Sequence, residues 1–477
     1  MNSRYCSNLS IAVSRRDALR SLSAGFGFLA FAGLVSETVQ ADDPKSPLHP
    51  KKPHFAPRAK RVIFLCMRGG PSHVDTFDYK PLLKRYHGRA SKYAGTKLHA
   101  SPWQFKERGN SGLWISDLFP NVAEHADELC LLRGMHCDQP SHAQALIQMH
   151  TGSFQFVRPS MGAWSLYGLG TENQNLPGFI AINPPTDNGG ATNYGSSFLP
   201  AAYQGTKFQF TDSSQRNRRI DRLRRGEANP YGIKNLVNSE FDKSTQAFQL
   251  ELINALNREK VERDRHAPIV EGAIESYELA FRMQDAVPQT MDISKEPQET
   301  LDLYGIGQIP TDGFGRQCLL ARRFAEAGVR FIELGHGSWD QHANIQTALG
   351  DNAAETDKPI AGLISDLKRR DMLKDTLIIW GGEFGRTPHS VDGSGRDHNH
   401  KGYATWMCGG GVKGGFSFGE TDDYGYEAIQ GKIHIHDWHA TILHLLGLDH
   451  ERLVFKYGGR NMRLTDVAGS VVEDILN

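Results

Sequence analysis

The chain has 477 residues, and its 54 basic and 54 acidic side chains give a formal charge of zero. This balance argues against a basic surface for nucleic acid or for an anionic membrane. The six cysteines contain no Cys-x-x-Cys pair, which argues against a zinc ribbon or a thioredoxin-type site.

The N-terminus has the features of an export signal. Arg15 and Arg16 form a twin-arginine pair, and an uncharged stretch over residues 21–36 follows them. That stretch is short and rich in small residues, whereas a spanning helix needs about 20 apolar residues. The sequence therefore predicts a twin-arginine signal peptide over residues 1–41, and a periplasmic or extracellular protein without a membrane span after cleavage. The alternative is an uncleaved N-terminal anchor.

The remaining chain is predicted to form one domain. Residues 42–60 contain prolines and basic residues and are predicted to be a flexible lead-in. The domain then covers residues 61–477, with a helical insertion at about 239–286. A continuous apolar run over Arg61–Met67, ended by glycines, is typical of a buried parallel strand. Further strands are predicted at 128–133, 178–183, 328–334 and 376–380.

Helical patterns separate these strands. The first runs to His150 and begins where Ser141 can cap it. Residues 184–236 are rich in Gly, Asn, Ser and Pro and are predicted to be a long surface excursion. The alternation of strands and helices predicts an α/β fold, a doubly wound and mostly parallel sheet with helices on both faces. Other helices are predicted at 316–327, 360–369 and 436–446.

Side chains that bind metals follow several predicted strands. Asp340 and His342 lie in a loop after a strand, and in an extended loop residues i and i+2 point the same way. Glu383 follows another strand, between glycines that permit a tight strand-to-helix turn. Asp397 and His398 belong to a run of four side chains with ligand atoms. For each group, the alternative to metal binding is that its members are ordinary solvated loop residues.

These loops are expected to meet, because ligands bind at the carboxyl ends of strands in open α/β sheets. Carboxylate and imidazole groups together predict a divalent metal site, with zinc, calcium and magnesium left open. Asp75, after the first strand, is a further candidate ligand. The predicted ligands are Asp75, Asp340, His342, Glu383, Asp397 and His398.

Four other residues are candidates for catalysis. Ser141 and His142 stand at a predicted helix N-terminus, which favours sulfate or phosphate, and either is a candidate nucleophile or substrate contact. For Ser141 the alternative is a plain N-cap. Arg386 or Arg396 is expected to stabilise the developing charge on an oxyanion. Whether Cys130 and Cys137 form a disulfide is left open.

Long motifs in the chain resemble a known family. FLCMRGGPSHVDTFDYKP, WDQHAN, GGEFGRTP and GRDHNHKGY are similar to motifs of the domain-of-unknown-function 1501 family, and the resemblance covers essentially the whole mature chain. Members of that family are exported, often described as sulfatase-like, and placed beside the alkaline phosphatase and sulfatase superfamily. The resemblance therefore implies a doubly wound sheet of that type with metals at its carboxyl edge.

The resemblance also implies roles for single residues. Asp340 and His342 look like the superfamily's mid-chain ligand pair, Glu383 stands where an Asp is usual, and His398 or His400 looks like the late histidine ligand. Arg68 follows the first strand, where sulfatases and phosphatases have an Asp. The sulfatase nucleophile motif is not matched either. These departures predict one metal ion rather than a pair, and argue against a formylglycine mechanism.

Two functions remain from the sequence. The first is an exported metal-dependent hydrolase of sulfate or phosphate esters, acting on a sulfated or phosphorylated small molecule or polysaccharide. The alternative is a non-catalytic binding protein of the same fold that recognises sulfated polysaccharide or cell-surface material. The oligomeric state is left open.

Overall fold

A computed structural model describes residues 46–209, 241–264 and 268–477 of the chain. The predicted signal peptide over residues 1–41 lies outside the described residues, as does the part of the predicted surface excursion after residue 209. Within the described ranges, no helix combines the length and the apolar character needed to cross a membrane.

A sheet of nine strands forms the centre of the described structure. Most residues of its strands are apolar and buried, as expected for a sheet covered on both faces. They are β1 (Arg61–Met67), β2 (Leu129–His136), β3 (Phe179–Ile182), β4 (Thr206–Phe208), β5 (Phe331–His336), β6 (Thr376–Gly381), β7 (Tyr403–Cys408), β8 (Phe416–Phe418) and β9 (Ile433–His434).

The sheet is mostly parallel. Its order is β8-β2-β7-β6-β1-β5-β3-β4, and β9 also pairs with β2. β1 lies between β5 and β6 and is parallel to both. β7 is antiparallel to its neighbours β2 and β6, whereas the other pairs are parallel. The predicted mostly parallel α/β sheet is therefore confirmed.

The helices cover both faces of this sheet. They are α1 (His73–Thr76), α2 (Pro81–Arg85), α3 (His142–Thr151), α4 (Met161–Leu169), α5 (Lys243–Asp264), α6 (Pro268–Met291), α7 (Gln298–Leu303), α8 (Asp312–Glu326), α9 (Ile345–Arg369) and α10 (Ile435–Leu445). Two side chains of β5 contact helices on opposite faces of the sheet. Glu333 contacts His150 of α3, whereas His336 contacts Glu355 of α9. Residues three apart in a strand point to opposite faces.

Short elements complete the fold. Short 3-10 helices span Val122–Glu128, Gly190–Tyr194, Ala201–Tyr203, Leu373–Asp375 and Glu473–Ile475. Two-stranded ribbons pair Lys97–Leu98 with His389–Ser390, Phe105–Arg108 with Leu113–Ser116, Gly385–Arg386 with His398–Asn399, Glu420–Thr421 with Ala428–Gln430, and Phe455–Tyr457 with Arg460–Met462.

The structure adds detail to several predictions. Leu48 and Ala59, within the predicted lead-in, are buried, whereas residues 49–52 and 55–58 are exposed. Helices α5 and α6 occupy the stretch in which the sequence places a helical insertion. Cys130 and Cys137 are both free and buried thiols, so the structure contains no disulfide between them.

Candidate functional site

The candidate site lies at the carboxyl edge of the sheet, where β1, β5 and β6 end. Arg68 follows β1 directly, and its backbone N–H donates to His336 O at the end of β5 (2.8 Å). The backbone N–H of Trp339 donates in turn to Arg68 O (3.1 Å). Glu383 follows β6 after one intervening glycine. This edge is where open α/β sheets bind ligands.

Four side chains with ligand atoms meet at this edge. Asp340 Oδ1 lies 3.2 Å from His142 Nε2 and 3.0 Å from His342 Nε2. Its distance to His398 Nε2 is 3.3 Å. One ligand atom of each residue lies within 4.8 Å of those of the other three. Three of these residues are ligands that the sequence predicts, and His142 is one that it predicts for catalysis. We call these four residues the histidine–aspartate cluster.

Two of the histidines are oriented through their second ring nitrogen. His142 Nδ1 lies 2.7 Å from Glu383 Oε1, and His398 Nδ1 donates to Pro140 O at 2.7 Å. When Nδ1 carries the proton, the lone pair of Nε2 is free for a metal. Both Nε2 atoms then point towards Asp340. This arrangement is typical of metal-binding histidines.

Glu383 is buried behind His142. Its side chain is 1 % exposed, and the backbone N–H of Gly69 donates to both carboxylate oxygens, at 3.0 Å and 3.2 Å. The sequence predicts Glu383 as a direct ligand and a helix after it. The structure instead places it outside the histidine–aspartate cluster, followed by the ribbon strand Gly385–Arg386. That ribbon strand pairs with His398–Asn399, which carries His398 to the cluster.

Two glycines allow the loops of the site to approach closely. Gly69 has a φ of +114°, and a Cβ there would lie 2.7 Å from the backbone nitrogen of Asp340. A Cβ on Gly395 would lie 2.0 Å from His342 O. Real Cβ atoms do not approach backbone atoms so closely, so a larger residue at either position would push a ligand loop away.

The protonation preferences of Asp340 and His398 suit cation binding. Burial opposes ionisation of Asp340, but the hydrogen bond and charge of Arg386 lower its pKa to about 2. Burial and the charge of Arg386 lower the pKa of His398, which favours the neutral imidazole. Burial alone would lower the pKa of His142, but the hydrogen bond and charge of Glu383 outweigh it and raise that pKa.

Arg386 is a buried support of Asp340. Its side chain is 0 % exposed, and it donates to Gly69 O, to Gly70 O at 2.9 Å and to Asp340 Oδ1. Its Nη1 donates to Arg396 O at 3.3 Å. The sequence predicts Arg386 as a contact for an oxyanion, whereas the structure uses its donors to hold the loops of the site.

Asp75 and Arg396 form a buried pair. Both side chains are 0 % exposed, and Arg396 donates to the two carboxylate oxygens of Asp75 at 2.7 Å and 3.0 Å. Ser72 Oγ donates to the same carboxylate at 2.5 Å. Nη1 of Arg396 donates to Thr387 O at 3.1 Å. The structure therefore does not bring Asp75 into the histidine–aspartate cluster, and it leaves Arg396 bound to Asp75.

Ser141 and Asp397 lie beside the cluster. Ser141 is exposed and precedes α3, and no described side-chain cap hydrogen bond involves it. Asp397 is 73 % exposed, and its Oδ1 lies 3.8 Å from His342 Nδ1. Asp397 is thus a neighbour of His342 and lies outside the group of four ligand atoms.

Two cavities open beside His142. The first, which we call the Arg68 cavity, has a volume of about 190 Å³ and is lined by Arg68, Gly69, His142, Leu146, Asp187, Asn188, Gly337, Ser338, Asp340 and Glu383. The second, the Ser141 cavity, has a volume of about 570 Å³ and is lined by Pro140, Ser141, His142, Ala143, Asn188, Asp397 and His398. Both have room for a small polar group beside the cluster.

Arg68 lines the site, although no sequence pattern predicts a role for it. Its position directly after the central strand β1 is the signal that could have found it, since this is the place where a first ligand is expected.

A second group of side chains with metal-ligand atoms lies close together because two of its members form an ion pair. Cys66, His150 and Glu333 are buried close together. His150 Nδ1 donates to Leu146 O at 2.8 Å, and its Nε2 lies 3.1 Å from Glu333 Oε1. Burial would lower the pKa of His150, but the charge of Glu333 outweighs it and raises that pKa. This geometry is that of a buried imidazolium–carboxylate pair.

The histidine–aspartate cluster fits a divalent cation. Three imidazole nitrogens and one carboxylate oxygen converge, and hydrogen bonds from Glu383 and Pro140 set the orientation of two rings. Neutral imidazole and ionised carboxylate are the forms that bind metals. The cluster is partly open, because the side chains of Asp340 and His342 are 44 % and 50 % exposed.

Comparisons with known proteins agree with the family resemblance. The model of a family described as "Protein of unknown function (DUF1501)" matches residues 59–476. No curated protein matches the chain.

Several solved structures are similar in part. The lipoteichoic acid synthase LtaP from Listeria monocytogenes shares 9 % identity at a TM-score of 0.38, over 92 % of this chain and 79 % of that chain. The PsFucS1 sulfatase from Pseudoalteromonas sp. shares 13 % identity at a TM-score of 0.33, over 83 % and 69 %. The TAB5 alkaline phosphatase mutant with bound Mg shares 10 % identity at a TM-score of 0.29, over 74 % and 92 %. Scores this low do not support the transfer of an activity.

Proposed function

The chain belongs to the DUF1501 family of proteins of unknown function, and we propose that it is a metal-dependent hydrolase of sulfate or phosphate esters. The histidine–aspartate cluster carries this proposal, because its ligand atoms come from loops far apart in the chain and lie within 4.8 Å of one another. A polar cluster with oriented imidazoles beside open cavities is what such an enzyme needs.

We propose zinc as the metal. Zinc binds imidazole nitrogen readily and takes four ligands in a tetrahedron, whereas calcium and magnesium prefer oxygen ligands. His142, His342 and His398 would supply nitrogen, and Asp340 would supply oxygen. Zinc would contribute Lewis-acid activation of the ester and of the attacking hydroxyl group.

The protein's own residues would prepare this chemistry. Glu383 holds the Nδ1 side of His142 and so directs Nε2 towards Asp340. Arg386 keeps Asp340 ionised and in place. Such supports matter because a site that is displaced by about 1 Å can lose 100-fold in rate.

Two groups are candidates for the attacking oxygen. Water can enter both cavities, and Ser141 lines one of them together with His398. Ser141 also stands at the N-terminus of α3, where free N–H groups and the helix dipole favour an anionic group. Replacement of Ser141 by alanine separates these cases, since only a serine nucleophile requires its hydroxyl.

We also propose that the protein is exported and acts on a sulfated or phosphorylated small molecule or polysaccharide. The twin arginines at positions 15 and 16 support export. Analysis of the N-terminus of secreted protein tests this part, and cleavage after residue 41 is expected.

The central test compares His398→Gln with His400→Gln. Both histidines belong to the same loop, but only His398 is in the histidine–aspartate cluster. We expect wild type and His400→Gln to bind one zinc ion and to hydrolyse an aryl phosphate or an aryl sulfate. His398→Gln should lose zinc and at least about 100-fold in turnover, because loss of an outer partner of a ligand alone costs about 10- to 100-fold.

Zinc content is measured by elemental analysis and turnover by release of nitrophenol. Equal zinc content and equal turnover in both variants would contradict the proposal. Zinc binding without turnover of any ester would instead favour the non-catalytic binding protein.

A further inference from the structure

We propose that Arg68 binds the anionic group of the substrate in the Arg68 cavity. This inference rests on the proposed function and names the residue that recognises a sulfate or phosphate group. Arg68 lines the same cavity as His142, Asp340 and Glu383, so a group bound by its guanidinium would lie next to the histidine–aspartate cluster.

The other two arginines near the site already form buried hydrogen bonds with groups of the protein. Arg386 donates to backbone carbonyls and to Asp340, and its side chain is 0 % exposed. Arg396 donates to both oxygens of Asp75, and it is equally buried. To reach a substrate, either would have to give up buried charge-assisted hydrogen bonds, which are costly to break.

Arg68 is held less tightly. Its side chain is 25 % exposed, and its ion-pair partner Asp187 lies 3.9 Å away with a side chain that is 74 % exposed. Such a long and exposed pair contributes little. The Nε atom of Arg68 is buried without a hydrogen-bond partner in the described part of the chain. A buried donor of this kind gains from an added acceptor.

The surroundings of Arg68 leave room for its guanidinium. A Cβ on Gly337 would lie 3.3 Å from Arg68 Nη2, closer than most such contacts, so the glycine keeps this space clear. The backbone of Arg68 is fixed by hydrogen bonds to both sides, with His336 and Trp339. The base of the side chain is therefore fixed, while the side chain as a whole remains 25 % exposed at the cavity lining. A planar guanidinium suits the oxygens of sulfate and phosphate.

The charge around Arg68 explains why a cation must accompany the anion. Asp187, Asp340 and Glu383 place three carboxylates in the cavity lining. A bound divalent ion would offset the charge of Asp340, and Arg68 would then pair with the substrate instead of with carboxylates. Anion binding is thus expected only in metal-loaded protein.

The test is titration of zinc-loaded full-length protein with inorganic phosphate and, separately, with inorganic sulfate, after gel filtration to remove free zinc. We compare wild type, Arg68→Gln and Arg68→Lys. The control is Arg133→Gln, because Arg133 is also 25 % exposed, has weak ion pairs at 3.8 Å, and has a buried Nε that lacks a partner among the described residues. Arg133 does not line the Arg68 cavity.

We expect wild type and Arg133→Gln to bind at least one of the two anions equally well. Arg68→Gln should bind it about 10- to 100-fold more weakly, as expected for the loss of charged hydrogen bonds, with unchanged zinc content and melting temperature. Arg68→Lys should show an intermediate loss, because it keeps the charge but not the planar donors. The anion whose affinity falls in Arg68→Gln indicates whether the substrate is a sulfate ester or a phosphate ester.

The outcomes separate the two proposals. Equal anion affinity in wild type and Arg68→Gln, at equal zinc content, overturns the role of Arg68 alone. Wild type that holds zinc but binds neither anion overturns it as well. Wild type that takes up no zinc overturns the proposed function on which this inference depends.

Discussion

Glu383 contributes to the site by its position behind a histidine. It accepts hydrogen bonds from the Gly69 backbone and lies 2.7 Å from His142 Nδ1. Glu383→Gln should therefore leave the fold intact and weaken zinc binding about 10- to 100-fold, because such outer partners set the tautomer and basicity of a ligand. Competition with a zinc chelator measures this affinity.

The matched control for that variant is Glu355→Gln. Glu355 lies 2.8 Å from His336 Nε2, so it forms a similar histidine–carboxylate pair outside the histidine–aspartate cluster. The zinc affinity of the Glu355→Gln variant should equal that of wild type. If Glu383→Gln also keeps wild-type affinity, Glu383 does not orient a ligand.

Asp75 tests the opposite case, in which a predicted ligand is structural. Asp75→Asn leaves the buried charge of Arg396 without its partner, so we expect a loss of about 3 kcal/mol in the free energy of unfolding. Zinc content should remain that of wild type. Asp117→Asn is the control. The Asp117 side chain pairs with Lys106 and Arg108 but is 31 % exposed. Removal of its charge should therefore lower the free energy of unfolding by at most about 1 kcal/mol. Urea unfolding and elemental analysis give the two readouts, and loss of zinc from Asp75→Asn would make it a ligand after all.

At single residues, the sequence predicts side-chain chemistry better than side-chain partners. Asp340, His342 and His398 follow a simple rule, since polar groups in loops after strands of a parallel sheet reach one edge. Asp75 obeys the same rule, yet its carboxylate is bound by Arg396, 321 positions away in the chain. A pairing over such a distance depends on how the loops fold, and a local pattern does not contain it.

At the scale of elements, apolar runs identify the central strands. The predicted strand Arg61–Met67 has the observed bounds, because the six residues after Arg61 are all apolar and buried. The antiparallel strand β7 is not in the sequence prediction, and its Thr405 and flanking glycine interrupt such a run. Helix α9 starts at Ile345, fifteen residues before its predicted start, because it continues through Pro359. Proline usually begins a helix rather than lying within one.

The contact between α10 and α3 gives a pH-dependent prediction. His439 of α10 is buried, its Nε2 donates to Met149 O at 2.7 Å, and its Nδ1 has no partner within the described ranges. Burial and the neighbouring charge of His436 lower the pKa of His439 from 6.5 to about 3. Below pH 6.5 the unfolded chain binds a proton that the folded protein excludes, so stability falls as the pH falls towards 3.

His439→Gln should remove this penalty, since glutamine can still donate to Met149 O but does not titrate. Between pH 7 and pH 5 we expect wild type to lose about 2 kcal/mol more than the variant. Urea unfolding at the two pH values measures the difference. His444→Gln, in the same helix, should lose as much as wild type. Parallel losses in His439→Gln and wild type would contradict a buried neutral His439.

At the scale of the whole molecule, the site joins distant parts of the chain. His142 stands at the start of α3, His342 follows β5, and His398 belongs to a ribbon near β6 and β7. A metal that binds only the folded arrangement stabilises it, by about 3 kcal/mol when its concentration is 100 times its dissociation constant. If the proposed metal binds, the stability of the whole domain is linked to the occupancy of the histidine–aspartate cluster.

Metal removal makes that link measurable. We expect dialysis against a strong chelator to lower the melting temperature of wild type by roughly 5 °C, and readdition of zinc to restore it. Asp340→Asn should melt at the same temperature with and without chelator, because it removes the carboxylate that all three histidines approach. His400→Gln should respond as wild type does. If neither chelator nor zinc changes the melting temperature of wild type, the loops of the site are held together without a metal. Arg386 and the hydrogen bonds between the loops would then be sufficient.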